Sequence, residues 1–427
     1  MAKLNVRNRN KGKFDKDGNP KKPNWEWRFE GAKIDGKRNQ ITKAGFRTQK
    51  EALEAGTKAL AEYNNAGLHF EPTEISVSDY LDYWFDTHVK VNLKYNTQLA
   101  YRNIIEKHLK ARFGSYKLKA VNASIVQQYA NDLKINGYSK SMLVGILTTF
   151  SSAMDYAVEP LQYIPNNPIR LVKFPKVEKQ PRQRIILQMD DWHKIQSRFA
   201  NTRFYVMLMI GFHTGLRIGE VAGLTWDDVD FENKEIKVDK ITIKRNPEGD
   251  KKSSWYFSDP KTDTSSRTVK FGATLYNFLK EEKIRQQKNE LKYGEYYTVH
   301  VLKQEKDEKG NTIYRIVPIQ KHIKTQLPRT NLICVDVNGE FTSTDSFKYC
   351  SRIINREMKI LFDFHSLRHT HATMLIESGA HVKAVQERLG HKKIETTLQT
   401  YVHNTESLEA GAVDAFENAI KKVSTNE

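Results

Sequence analysis

Residues 204–220 read FYVMLMIGFHTGLRIGE, and the fold turns on how this stretch is read. Phe204 to Phe212 is the longest apolar run in the chain, at nine residues. A bilayer-crossing helix needs about 20, so the run predicts a helix buried within a globular core, ending at Gly215. Arg217 then stands near the start of another helix, with Glu220 three residues on. A large domain grows outward from this segment. On its N-terminal side Asp190-Asp191 caps a helix running to about Ala200. On its C-terminal side residues 229–245 alternate as strands, and 266–271 (SRTVKF) read as the next. Residues 286–330 are polar and irregular, with a hairpin turn near Asp307 to Asn311. The rest reads as mostly helical, ending in an Ala-rich amphipathic segment from Leu408 to Ile420.

The N-terminal half has different periods. Trp25, Trp27 and Phe29 alternate with polar residues, as in a half-buried strand, between the turn signals Asp17-Gly18 and Asp35-Gly36. Thr48 and Glu51 form a capping-box pattern for a helix with Leu53, Leu60 and Tyr63 on its apolar side. From Ile75 the period becomes helical. Four helices are marked by Tyr80, Tyr83, Trp84 and Val89; by Leu99, Ile104, Ile105 and Leu109; by Ile125, Val126, Tyr129 and Leu133; and by Leu143 through Ala157, with Ser139 as cap. Ile164 to Arg184 carries four prolines among basic residues and reads as a linker. The expected fold class is multidomain α+β. A small β-sheet plus helix (1–70) precedes a helical bundle (75–163), a basic linker (164–184) and a mixed, mainly-α domain with a small antiparallel sheet (185–427).

Composition narrows the function. Of 427 residues, 69 are Lys or Arg and 51 Asp or Glu, giving a net charge of +18. Residues 1–50 hold 15 Lys/Arg and 5 Asp/Glu, so they supply +10 of it. Such a field attracts polyanions, and a small basic sheet can lie in a DNA groove. A solvated basic arm is the alternative. The two cysteines, Cys334 and Cys350, exclude a disulfide framework and a four-thiolate zinc site and fit a reducing cytosol. No signal-peptide pattern opens the chain, and no membrane partner is expected.

Five short motifs carry the chemistry: TGLRIGE at 214–220, PKT at 260–262, HSLRH at 365–369, LGH at 389–391 and YVH at 401–403. Each alone is weak. Together, in this order and with ten residues from His391 to Tyr401, they resemble the tyrosine recombinases, or lambda-type integrases. The bundle and the basic sheet resemble that family's core-binding and arm-binding domains. The resemblance implies a site-specific DNA recombinase, the integrase of a phage or conjugative transposon. It would cut and rejoin strands through a 3′-phosphotyrosyl intermediate and a Holliday junction.

The resemblance also implies the roles. Tyr401 would be the nucleophile; with 19 tyrosines in the chain, residue type alone selects none. Arg217 and Arg368 would clamp the non-bridging oxygens, a task that suits a planar, permanently charged fork. His391 would donate to a phosphate oxygen, and His365 would shuttle a proton or position the substrate. His365 and Arg368, three apart, share a helical face. Lys261 would protonate the 5′-oxygen leaving group, with Arg267 as an alternative phosphate contact. No cofactor is implied. The implied partners are double-stranded DNA at core and arm-type sites, a tetramer of the chain itself, an excisionase and a host DNA-bending protein. The implied location is the cytoplasm of a bacterial host, at the nucleoid. A hairpin at 299–318 resembles insertions in conjugative-transposon integrases, bridging subunits or bracing DNA. The 408–420 tail would dock on a neighbouring protomer, with packing on its own subunit as the alternative.

Competing readings remain at this level. Arg217 and Glu220 also fit a surface ion pair. His365, His369, His371, His391 and His403 suggest zinc, but no cysteine lies near them, no HExxH occurs, and the interspersed arginines repel a dication. A type IB topoisomerase shares the chemistry without an arm domain. A silent DNA-binding regulator on the same scaffold, or a metal-dependent nuclease, completes the alternatives.

Overall fold

The structure, a computed structural model, describes residues 4–14, 18–30, 40–66, 75–176, 185–246, 252–259, 266–307 and 309–392. Lys261, Tyr401, the 408–420 segment, Asp17 and the Asp35-Gly36 turn lie outside these residues, as do the side chains of 61–66. The chain forms two compact units: Met1–Thr87 with Leu99–Val177, and His88–Gln98 with Glu178–Glu427.

In the first unit, β1 (Asn5–Asn8), β2 (Trp25–Glu30) and β3 (Gln40–Phe46) form an antiparallel sheet in that order. Trp27 and Phe29, stacked 5.5 Å apart, are its buried apolar side chains. Helix α1 (Gln49–Ala66) covers them, and the Thr48 hydroxyl accepts from the Glu51 N–H at 3.2 Å. Of the apolar side expected for α1, Leu60 is half-buried, and the Tyr63 side chain lies outside the described residues. Leu53 is exposed, while Ala52 and Gly56 are buried. A Cβ on Gly56 would lie 2.9 Å from the Trp27 Cβ, so only a bare backbone lets the helix approach the sheet this closely.

The bundle contains α2 (Val77–Trp84), a π-helical turn (Phe85–Val89), α3 (Lys90–Asn92), α4 (Tyr95–Ile104), a second π-helical turn (Ile105–Lys110), α5 (Ala111–Phe113), α6 (Ala123–Ile135) and α7 (Lys140–Val158). α7 is long and apolar enough to span a membrane by length and composition. Here Leu143, Ile146, Leu147, Phe150 and Met154 form its buried face, and the Ser139 hydroxyl caps it. Two expected core residues, Tyr83 and Leu99, are exposed. The buried position on α4 is Gln98, whose amide donates to the Lys90 and Leu93 carbonyls. Part of the proline-rich segment packs on the bundle. Asn167 donates to the Ser151 carbonyl and to Asp155, and Ile169 and Val172 are buried.

The second unit is built around α9 (Tyr205–Thr214), which is buried on nearly every side. An apolar helix without a polar face has no place on a surface. α8 (Met189–Phe199) lies beside it, with Trp192 stacked on Phe212 at 4.0 Å. α10 (Ile218–Ala222) follows at once. β4 (Val229–Asp230), β5 (Glu235–Val238) and β8 (Arg267–Lys270) make one small antiparallel sheet. β6 (Ile241–Arg245), β7 (Ser254–Ser258), β9 (Thr298–Lys306), β10 (Thr312–Gln320) and β11 (Arg329–Thr330) make another, in the order β11-β9-β10-β7-β6. β9 and β10 are the expected hairpin, with the Asp307 carboxylate accepting from the Lys309 and Asn311 N–H groups at its turn.

α11 (Ala273–Tyr293) reaches well into the stretch read as irregular. Its buried side includes Glu282 and Gln286. The Gln286 amide accepts from the Trp226 indole and donates to the Ile333 carbonyl. A polar buried face hides a helix from any hydrophobic pattern. α12 (Thr344–Arg356), α13 (Phe364–Glu377) and α14 (Val382–Leu389) complete the described unit. The architecture is the multidomain α+β class expected, with small antiparallel sheets among many helices.

Candidate active site

The site forms where α9 ends beside α13. A Cβ on Gly211 would stand 2.7 Å from the Phe364 ring, so this glycine brings the two helices into close contact. Gly215 then stops α9 in the left-handed conformation, φ +68°, a cap that glycine adopts without Cβ strain. The chain reverses, and Arg217 becomes the N-cap of α10. On α13, Asp363 caps the start, Phe364 and Leu367 enter the core, and Arg368 follows on a buried position, 2 % exposed.

Four sequence-predicted residues converge here. The Arg368 guanidinium donates to the Gly215 carbonyl at 2.9 Å and the Leu389 carbonyl at 2.6 Å. Arg217 donates to the Glu220 carboxylate at 2.8 Å and the Gly390 carbonyl at 3.4 Å. His391 follows Gly390, and its backbone is held by Gln386 in both directions. Burial first, then the charges of Arg368, Arg217, His365 and Arg267, push the His391 imidazole down to about 3. His391 thus lies within the field of Arg368, Arg217, His365 and Arg267. His365, exposed on α13, has its ring 4.8 Å from that of His369.

Glu220 is the anion that makes this clustering tolerable. It is 1 % exposed, so the surface-pair reading of Arg217 and Glu220 is wrong. Its carboxylate accepts from the Arg217 N–H and guanidinium and twice from Arg267, at 3.2 and 3.0 Å. Burial alone would raise the Glu220 carboxyl, yet the hydrogen bonds and charges of Arg267 and Arg217 hold it below the ordinary carboxylate range. Arg267 also donates to the Arg388 carbonyl at 2.8 Å. The carbonyls of residues 388, 389 and 390 therefore each accept from a different site arginine: Arg267, Arg368 and Arg217. These belong to the C-terminal end of α14, where the helix dipole is negative and guanidinium is favoured.

Two residues complete the surroundings: Arg388, which the sequence reading did not single out, and His371, which it weighed only as a zinc ligand. The Arg388 Nε donates to the His371 Nε2 at 2.9 Å, and its other nitrogens reach the Lys270 and His213 carbonyls. His371 shares a face of α13 with Arg368, at i+3 spacing. That spacing is the one signal the sequence held for it.

Three guanidiniums and an imidazole gathered at one place have the chemistry to hold a phosphoryl oxyanion. The class defined is an enzyme that works on a phosphodiester. Sequence profiles specify it further. The phage integrase family profile matches residues 184–407, its N-terminal SAM-like domain matches 76–134, and an arm DNA-binding domain matches 13–63. The chain belongs to the phage integrase family. It is 28% identical over 380 residues to the tyrosine recombinase XerC-like protein of Caldanaerobacter subterraneus subsp. tengcongensis, covering 87% of this chain and 90% of that one. It is 25% identical over 367 residues to the ICEBs1 integrase of Bacillus subtilis, covering 83% and 86%. Its fold is similar to that of the Tn1549 transposon integrase solved with transposon right end DNA, at a TM-score of 0.58 and 21% identity, covering 79% and 98%. The enzyme is a tyrosine recombinase of the integrase type, acting on DNA by site-specific recombination.

Proposed function

We propose that Tyr401 is the nucleophile of this integrase and that Arg217, Arg368, His391, His365 and Lys261 serve it. The Tyr401 hydroxyl oxygen attacks the scissile phosphorus, the P–O5′ bond breaks, and a 3′-phosphotyrosyl bond forms. Lys261 gives its proton to the departing 5′-oxygen; an ammonium can do so where a guanidinium cannot. A 5′-hydroxyl of the partner strand then attacks the phosphotyrosyl phosphorus, and tyrosine leaves with its proton restored. The bond energy is conserved through both steps, so no nucleotide cofactor is consumed. Arg217 and Arg368 hold the non-bridging oxygens, His391 donates to one of them, and His365 positions or relays the proton. A phenol of pKa about 10 needs such positive surroundings to act as a nucleophile at neutral pH.

The observation that carries this reading is the gathering of residues from 215–217, 365–368 and 389–391 around one pocket. Exchange between two duplexes requires four cleavages and hence four nucleophiles, which supports a tetramer on a Holliday junction. Residues 1–70 bind arm-type sites, 75–163 and 185–427 hold the core site, and 164–184 links them. On the N-terminal sheet, Asn5, Arg28 and Thr42 lie in register on one face, beside Arg7, which pairs with Glu26, and this polar face is the one offered to a DNA groove. The 408–420 tail docks on a neighbouring protomer. The protein works in the cytoplasm of a bacterial host, at the nucleoid, with an excisionase and a host DNA-bending protein as accessory partners. The test is Tyr401→Phe on a nicked suicide duplex carrying the core site recovered from integration junctions. Covalent protein–DNA adducts should vanish while duplex binding persists. Adducts that survive the substitution would remove Tyr401 from its role.

A further inference from the structure

The three site arginines hold the C-terminal end of α14, but two of them, Arg217 and Arg368, are the ones proposed to clamp the scissile phosphate. A phosphate that recruits Arg217 and Arg368 competes with the Gly390 and Leu389 carbonyls for the same N–H groups. α14 has only eight residues, too few to be stable alone. Its apolar anchorage is a small cluster of Ala372, Ile376, Val385 and Leu389. Something that phosphate does not recruit must therefore keep Gly390 and His391 in place while the strand is cut.

We propose that Arg388, held by His371, is the positioning residue that fixes this turn. Its guanidinium, within the field of Arg267, is engaged by acceptors other than those that hold the site arginines. It reaches the Lys270 carbonyl on β8 at 2.8 Å, the His213 carbonyl on α9 at 3.2 Å and the His371 Nε2 on α13 at 2.9 Å. One side chain on α14 thus ties that helix to three elements, two of which carry Arg267 and Arg368. His371 is suited to be its acceptor. Its ring also hydrogen-bonds the backbone of Phe212, and burial together with the charge of Arg388 keeps the imidazole unprotonated. A neutral ring offers a lone pair to Arg388 where a charged one would repel it. The Arg388 backbone carbonyl meanwhile accepts from Arg267, so the residue sets a site arginine through its main chain and the turn through its side chain.

The proposal rests on the pocket being the recombinase active site, and the test separates the two. Single-turnover adduct formation on the suicide duplex and affinity for the same duplex are measured for the full-length parent, Arg388→Met, Arg388→Lys and His371→Gln, with Tyr401→Phe as the adduct-negative control. Arg388→Met should slow adduct formation about 10- to 100-fold, the scale on which small misplacements act, with duplex affinity within about threefold. Arg388→Lys, which keeps the charge and part of the carbonyl bonding, should recover part of the rate. His371→Gln, whose amide oxygen still accepts from Arg388, should fall between parent and Arg388→Met. Rates within threefold of the parent throughout, or rate and affinity falling in parallel, would overturn the positioning role. Should Arg388→Met fail to fold, His371→Gln and Arg388→Lys decide by the same criterion. Loss of adduct in the parent itself would instead remove the reading of the pocket, and with it the basis of the proposal.

Discussion

Glu220→Gln tests the electrostatics of the pocket without changing its shape. The carboxylate is 1 % exposed and accepts four hydrogen bonds, from the Arg217 N–H, the Arg217 guanidinium and two nitrogens of Arg267. The Arg267 side chain is only 8% exposed, whereas that of Arg217 is 39% exposed, so most of the loss falls on Arg267. Removing one partner of a buried ion pair costs about 3–5 kcal/mol, and the retained amide oxygen places this change near the lower end. For a unit of this size each kcal/mol moves the melting temperature by about 2–4 °C. The catalytic-unit transition should therefore fall by roughly 10 °C at neutral pH, read by calorimetry of the full chain. The pH dependence has a definite sign. The folded carboxyl titrates below its unfolded value of 4.5, so its contribution is present above that value and is lost as pH falls through the folded pKa. The gap between parent and Glu220→Gln should close toward acid pH. A gap under about 1 kcal/mol at neutral pH, or one unchanged on acidification, would refute the shared-anion argument.

Two further outcomes follow from the same geometry. Gly215→Ala places a Cβ 2.8 Å from Leu389 Cδ2 and 2.9 Å from the His371 ring, at φ +68°. Strain and overpacking together should cost about 2–4 kcal/mol, and a urea-denaturation difference under about 1 kcal/mol would contradict it. His391, held at about 3 against an ordinary 6.5, should show no imidazole titration by NMR across the neutral range in the free protein. Bound core duplex, bringing a phosphate anion into the pocket, should raise it, and a free-protein midpoint near 6.5 would mean that the ring lies outside the cationic cluster.

What could be read from the sequence was decided by how local each signal is. The apolar run at 204–212 fixes α9 because a helix greasy on every side has one place to go. Ser139 and Gly215 mark helix ends through hydrogen bonds or dihedrals confined to a few residues. α11 escaped because its buried face is apolar only in its first turns, at Leu275 and Leu279, and continues as Glu282 and Gln286, buried through partners as distant as Ile333. Leu53 misled because the sheet selects α1 by close backbone approach at Gly56, where the smallest residue wins over the greasiest. In the site, Arg217, Arg368 and His391 were legible as motif residues. The burial of Glu220 and the engagement of Arg388 and His371 were not, because each depends on partners brought together by tertiary structure.

The pocket gathers its charge before DNA arrives. Bringing three guanidiniums together costs Coulomb repulsion and desolvation. A protein that met this cost only on binding would lose it from the free energy available to the transition state. Here Glu220 offsets part of it, and the negative end of α14 offsets more through the carbonyls of 388, 389 and 390. Carbonyls are weaker acceptors for arginine than phosphate oxygens, so they can hold Arg217 and Arg368 in place and yield them to a scissile phosphate. On the proposed roles, Glu220 would stay with Arg267 and offset the repulsion within the cluster while the phosphate is held. An acceptor set graded in this way lets one constellation be both folded when empty and preorganised when occupied.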